Sequence, residues 1–258
     1  MKMIDAHIHL DHYQDDEIER MLSDSVNIDC LLSVSFNLES CKRNLQLAKT
    51  YNKVRTAFGY HPEQSLPSKK YLNDLVDWID KHRNEMAAIG EVGLPYYLRM
   101  EQKITSEQYF EYIELLEIFI GLAKNWVKPI VLHAVYDDAP IVCDLLEKYD
   151  ISKAHFHWFK GEEKTIERMI ENGYYVSITP DVLYEKEIQQ LVYSYPLNQL
   201  MVETDGPWPF KGPFLNQKTH PHMMLETILA IAKIKDLPSE SVSEIILNNT
   251  KEFYNIMG

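Results

Sequence analysis

The sequence predicts an α/β fold, a single-domain (β/α)8 TIM barrel over residues 1–258. Three observations predict it. Short apolar, strand-like runs alternate with amphipathic, helix-like stretches along the whole chain. Eight such runs can be counted, the number that closes a parallel barrel inside a ring of helices. Polar residues capable of chemistry collect at the carboxyl ends of several runs, where a barrel would gather them around one mouth. A doubly wound open sheet is the alternative and ranks behind, because no glycine-rich phosphate loop follows the first run.

The strand-like runs are residues 3–10, 30–36, 55–62, 87–94, 129–134, 154–159, 174–179 and 200–205. Helical periodicity marks residues 16–24, 38–51, 68–83, 106–126, 139–149 and 162–173 between them. No low-complexity stretch, long linker or charge block divides the chain. The aromatic residues of 109–119 fall at helical spacing and read as core.

Composition narrows the class. Apolar residues make up 45% and charged residues 25% of 258, so a large core can form without disulfides. Cys30, Cys41 and Cys143 are odd in number, widely spaced and form no CxxC pair, which points to a reducing cytoplasm. The opening MKMIDAHIHL is too interrupted by Asp5, His7 and His9 for a signal peptide, and no apolar run reaches membrane length, so a soluble protein without a membrane partner is expected. The formal net charge of −13 argues against an extended duplex footprint, since phosphate neutralisation supplies most non-specific affinity. A strand end or a small phosphodiester could still enter a metal site.

Six residues at the run ends are candidate ligands for divalent metal: His7, His9, Glu91, His133, His157 and Asp205. His7 and His9 lie two apart, hence on one face of a strand, with Ile8 turned toward the helices. Glu91 stands in the apolar AIGEVGL, where a carboxylate must be paired or metal-bound; its two oxygens can bridge two cations. Glycines on either side leave room for a ligand or another backbone to approach. Taken singly, HxH reads equally as a structural pair and Glu91 as a buried salt bridge; matching positions at six strand ends favour a site. Asp5, Glu203 and His155 share the ligands' parity one pleat deeper and are expected to support them. His12, His82, His220 and His222 read as surface residues.

These residues carry a family pattern. The chain resembles the TatD-like DNase family of metal-dependent, amidohydrolase-type barrels through DAHIHL at 5–10, GYHP at 59–62, GEVGL at 90–94, LH at 132–133, HWFKG at 157–161 and ETDGP at 203–207. The ending NNTKEFYNI at 248–256 is similar to the family's closing helix. The resemblance implies two metal ions: His7, His9 and Asp205 on one, His133 and His157 on the other, and Glu91 between them. It also places His61 near the substrate. Three positions depart from the pattern: Pro95 where Asp is usual, Val135 where Arg is common, and Lys160 where the motif normally reads F-S-G.

The expected reaction is hydrolysis by a metal-activated water. Two cations roughly 3.5–4 Å apart lower the pKa of a water and steady both oxygens of an in-line displacement. Asp205 orients or deprotonates that water, while His61 and Lys160 meet the developing charge. The mixed N/O donor set suits zinc, manganese or another first-row ion better than magnesium alone. Phosphodiester hydrolysis, trimming DNA ends, is the leading expectation. A carboxylic ester, lactone or cyclic amide is the alternative substrate, and a metal-binding barrel without activity is a third reading. Lys160, Arg99 and Lys211 are candidates for a local cationic patch at the mouth, and Arg99 and Lys211 read more readily than Lys160 as ordinary surface charge.

Overall fold

The computed structural model describes residues 1–24 and 27–256. Eight parallel strands follow one another in order: β1 (Met3–Ile8), β2 (Ile28–Ser33), β3 (Val54–Phe58), β4 (Ala88–Gly93), β5 (Ile130–His133), β6 (Ala154–Phe156), β7 (Tyr175–Ile178) and β8 (Leu200–Val202). Each pairs with the next in parallel register. The seam between β8 and β1 closes just beyond the strand ends. There the Asp205 N–H donates to the His7 carbonyl at 2.9 Å, and the His9 N–H donates to the Gly206 carbonyl at 2.8 Å.

The helices are α1 (Asp15–Asp24), α2 (Leu38–Thr50), α3 (Lys69–His82), α4 (Tyr96–Met100), α5 (Ser106–Trp126), α6 (Asp138–Lys148), α7 (Glu163–Glu171), α8 (Lys186–Ser194), α9 (Met224–Lys235) and α10 (Ser239–Tyr254). Local chemistry starts them where expected. On α5 the Thr105 hydroxyl accepts the Gln108 N–H while the Gln108 side chain accepts the Thr105 N–H, a reciprocal capping box.

Strand alternation divides the core. On β5 to β8, Ile130, Leu132, Phe156, Val176, Ile178, Leu200 and Val202 pack outward against helical residues such as Leu116, Phe119, Val142 and Ile228. Val131 and Met201 point inward and join Ala6, Leu32, Ala57 and Ala88; Phe253 and Tyr254 of α10 close that inner cluster from below. His155, Ser177 and Glu203 share the inward parity and are all buried. Polar side chains therefore fill the barrel interior between an apolar floor and the mouth.

The strands are shorter than the sequence runs. β2 begins at Ile28 and ends at Ser33, and His9, His61, His157 and Asp205 lie just past hydrogen-bonded strand ends. Apolar runs continue into the loops because those loops turn inward over the barrel and stay buried. Gly93 shows how closely they pass. A Cβ there would lie 1.9 Å from the His133 carbonyl oxygen, so another backbone uses the space that the glycine leaves.

Truncating the outer shell should cost stability and spare the mouth. Leu116 is 1% exposed under α5. Leu116→Ala should lower unfolding free energy by about 2–5 kcal/mol through the cavity it leaves. Urea titration followed by circular dichroism measures it.

Candidate metal centre

All six expected ligands meet at the mouth, and Glu91 is the residue they share. Its side chain has no exposed surface. Oε2 faces one group: His7 Nε2 at 3.2 Å and His9 Nε2 at 3.3 Å, with Asp205 Oδ1 completing it 3.3 Å from His7 Nε2 and 3.5 Å from His9 Nε2. Oε1 faces another: His157 Nε2 at 2.9 Å, His133 Nδ1 at 3.1 Å and His61 Nε2 at 3.2 Å. His133 Nδ1 and His157 Nε2 are 3.3 Å apart.

These donors fit a metal better than they fit each other. His7 Nε2, Glu91 Oε2 and Asp205 Oδ1 are buried and have no hydrogen-bond partner among the described residues. Leaving such atoms unpaired is costly, which a cation between them would relieve. Ligands about 2.0–2.2 Å from a tetrahedral ion lie roughly 3.3–3.6 Å from one another. The contacts within the first group span 3.2–3.5 Å.

Electrostatics point the same way. Burial would push the Glu91 carboxyl up, but the surrounding imidazoles of His61, His157, His7 and His133 hold it well below the usual range. Burial would push His9 down, yet the adjacent Asp205 and Glu91 carboxylates carry it up to about 10. His157 is likewise held well above the ordinary value, because the Glu91 and Glu203 carboxylates outweigh its burial. The two carboxylates draw positive charge into the site. His61 behaves differently: burial wins over Glu91 and pushes it down to about 4. Its Nδ1 accepts the Glu63 N–H at 3.1 Å, so the proton of the neutral ring sits on Nε2. His61 thus presents an N–H to Glu91, where its neighbours can present lone pairs.

Behind the ligands, support comes from several strands. Asp5 does not touch an imidazole; it supports His7 through the backbone instead. Its Oδ1 accepts the backbone N–H of His7 at 3.2 Å and of Thr204 at 3.0 Å, and Oδ2 accepts the Thr204 hydroxyl at 2.5 Å. It pins the β1–β8 seam from which His7 and Asp205 project. Glu203 Oε1 accepts the Trp158 N–H at 2.8 Å and lies 3.6 Å from His157 Nδ1. The Ser177 hydroxyl donates to Glu203 Oε2 at 2.5 Å. With that hydrogen committed, Ser177 accepts from His155 Nε2 at 2.5 Å, and His155 Nδ1 accepts the Tyr254 hydroxyl at 2.6 Å. Burial keeps His155 neutral, as this chain requires. Trp158 and Asp205 hold φ of 37° and 48°, left-handed values sparsely populated by bulky residues. Trp158 is secured by the Glu203 bond and by its indole N–H, which donates to Asp181 at 2.7 Å.

Above the ligands lies a cavity of about 570 Å³ lined by His9, Phe36, His61, Glu63, Tyr97, Leu98, Val135, Trp158, Lys160 and Trp208 among others. Lys160 has no ion pair among the described residues; its ammonium lies 6.0 Å from the Trp158 ring. Arg99 and Lys211 do not border this space. The buried Asp138 carboxylate draws Arg99 aside at 2.8 Å, between the rings of Tyr96 and Tyr109. Lys211 is exposed beyond the Tyr184 hydroxyl, which accepts its backbone N–H at 3.0 Å. Lys103 lines the cavity instead, paired with Glu101 at 2.6 Å. Of the histidines that read as surface residues, His12 stacks 5.3 Å from His9, and His82 packs on Trp78 and pairs with Glu85 at 2.5 Å. Glu63 and Ser177 lie outside the sequence motifs, Thr204 and Tyr254 lie within them without an assigned role, and only their contacts reveal all four.

The family model of TatD related DNase matches residues 4–255. An uncharacterized metal-dependent hydrolase of Haemophilus influenzae is 42% identical over 98% of this chain and 100% of its own. Human deoxyribonuclease TATDN3 is 28% identical over 98% of this chain and 94% of its own. The crystal structure of YjjV, a TatD homologue from Escherichia coli, superposes with a TM-score of 0.87 at 23% identity, covering 99% of this chain and 98% of that one. With the family match spanning nearly every residue and the donor set assembled at the barrel mouth, the chain belongs to the TatD family and is a metal-dependent hydrolase.

Proposed function

We propose that the chain hydrolyses phosphodiester bonds at single-stranded DNA ends or in short oligonucleotides, with two divalent ions held on either side of Glu91. The observation that carries this reading is the fully buried Glu91 carboxylate, whose oxygens face separate donor groups 3.2 and 2.9 Å away at the floor of an open cavity. His7, His9 and Asp205 would hold one ion, and His133 with His157 the other. Bound divalent ions supply Lewis acidity and lower the pKa of water.

The chain's own residues do the rest. Asp205 lines the cavity and is held ionised, because the neighbouring imidazoles of His7, His9 and His157 outweigh its burial. It is placed to orient an attacking water and accept its proton. The His61 ring and the Lys160 ammonium, which has no ion pair among the described residues, line the cavity in which a phosphoryl oxygen would gain charge. Tyr97 and Trp208 remain 49% and 46% exposed at the rim, following β4 and β8, which stand half a turn apart in the barrel. Aromatic faces there suit unstacked bases, a contact worth about 1–3 kcal/mol per base and tolerant of sequence. The name of the human relative, a deoxyribonuclease, supports the same substrate class.

A second reading, hydrolysis of a carboxylic ester, lactone or cyclic amide, draws on the apolar lining of Phe36, Leu98, Val135 and Pro209. In the Val135 position an arginine would have favoured phosphate outright.

Asp205→Asn should abolish hydrolysis while leaving circular dichroism and melting behaviour close to wild type, since the residue serves the mouth. Full turnover by this variant would contradict the role given to Asp205. Substrate choice gives a second expectation. With Mn²⁺ held constant, single-stranded oligomers should be cleaved faster than linear duplex, and closed circular duplex should resist nicking. The net charge of −13 allows few phosphate contacts. The salt dependence should therefore be shallow, each neutralised phosphate adding about −0.7 to the log–log slope for single strands and −0.9 for duplex. Turnover of esters or lactones without cleavage of any nucleic acid would favour the second reading.

A further inference from the structure

The short helix α4 forms one wall of the cavity, yet it begins without a cap of its own. Pro95 occupies its N-cap position and has no side-chain acceptor for the free N–H groups of the first turn. Glu63, from the loop after β3, supplies the missing acceptor. Its Oε1 accepts the Tyr97 N–H at 2.8 Å and its Oε2 the Leu98 N–H at 2.9 Å. The same Oε1 lies 3.4 Å from His133 Nε2, a buried nitrogen without a hydrogen-bond partner among the described residues, so Glu63 is the nearby acceptor toward which its proton can turn. Through its backbone N–H, Glu63 also sets the tautomer of His61.

We propose that Glu63 is a positioning residue that couples the seating of the α4 wall to the metal-binding tautomer of His133. A neutral imidazole carries one N–H. Directed from Nε2 to Glu63, that hydrogen leaves Nδ1 as a lone pair, 3.1 Å from Glu91 Oε1 and 3.3 Å from His157 Nε2. A carboxylate in this position also raises the basicity of the ligand. The wall is tied to the same oxygen. Tyr97 and Leu98 both line the cavity, and the Tyr97 ring stands 6.0 Å from the His133 ring. One side chain therefore holds a face that meets substrate and a ring that meets metal. Had position 95 carried Asp, α4 could have capped itself and Glu63 would have served His133 alone.

This inference rests on the reading of His133 as a metal ligand, so wild type is measured in parallel. Metal-stripped proteins are titrated with Co²⁺ alone, followed by visible absorption, and KM and kcat are measured on bis(p-nitrophenyl) phosphate. Glu63→Gln keeps the size of the side chain and loses the carboxylate. Pro95→Asp restores a local cap. Wild type should take up two ions. Glu63→Gln should bind one of them at least about tenfold more weakly, the range seen when such supporting partners are lost, and should show a raised KM. Adding Pro95→Asp to Glu63→Gln should return KM toward wild type and leave Co²⁺ affinity weak. If circular dichroism shows Glu63→Gln unfolded, Glu63→Asp, which retains charge and withdraws it from both partners, gives the same comparison. Unchanged affinity for both ions in the Glu63 variant would overturn the coupling, leaving Glu63 a cap alone. Recovery of metal affinity together with KM in the double variant would overturn it as well. A wild-type protein that takes up no Co²⁺ would fail earlier, at the reading of the metal centre.

Discussion

A carboxylate without exposed surface, ringed by five imidazoles, is the constraint on which the site depends. Glu91 reaches the barrel axis from β4, and its oxygens lie 2.9–3.3 Å from His7, His9, His61, His133 and His157. Taking an ionised carboxylate out of water costs several kcal/mol, which only opposite charge and good geometry can offset. Here the opposing charge is delivered by strands distant in sequence, so the centre exists only once the barrel has closed. That is why the seam matters. Asp5 ties the backbone of His7 to that of Thr204, and Asp205 follows directly.

The same constraint orders the surroundings. A metal-binding imidazole turns a lone pair toward the centre when its proton sits on its other nitrogen. For His157 the neighbour is Glu203, held by Ser177 and Trp158. The line from Ser177 through His155 to Tyr254 then runs down the barrel interior to the closing helix. Neutral polar groups in sequence, each donating to the next, keep a buried acidic residue satisfied without adding charge. Outside this axis the molecule is acidic, with a net charge of −13, and the cavity holds a single cation without an ion pair among the described residues, Lys160. Attraction for an anion is concentrated at the centre and weak elsewhere.

Much of this architecture is legible in the amino-acid sequence. Eight apolar runs separated by helical periodicity specify the barrel, because strand and helix periods differ and the chain repeats both. The ligand types can be read because a polar residue closing an apolar strand needs a partner, and several strands close this way. The runs overshoot the strand ends, since burial continues into inward-turning loops and apolarity alone cannot tell the two apart. Loop direction is also hidden. Arg99 sits one turn from the mouth, but a buried carboxylate at Asp138, invisible in sequence, draws it away. Lys211 follows a strand by several residues, and nothing local says which way it turns. Glu63 escapes notice because its partners lie 34, 35 and 70 residues away and it forms no motif. Pro95 is its faint signal: a helix start without an acceptor implies one supplied from elsewhere.

The proposed position of Glu91 between two divalent ions is open to direct observation. Anomalous diffraction from crystals soaked in Mn²⁺, collected at the manganese edge, tests it most directly. Two peaks are expected, one within ligand distance of Glu91 Oε2, His7, His9 and Asp205, the other within ligand distance of Glu91 Oε1, His133 and His157. A single peak away from Glu91, or none at the mouth in protein that hydrolyses its substrate, would contradict it.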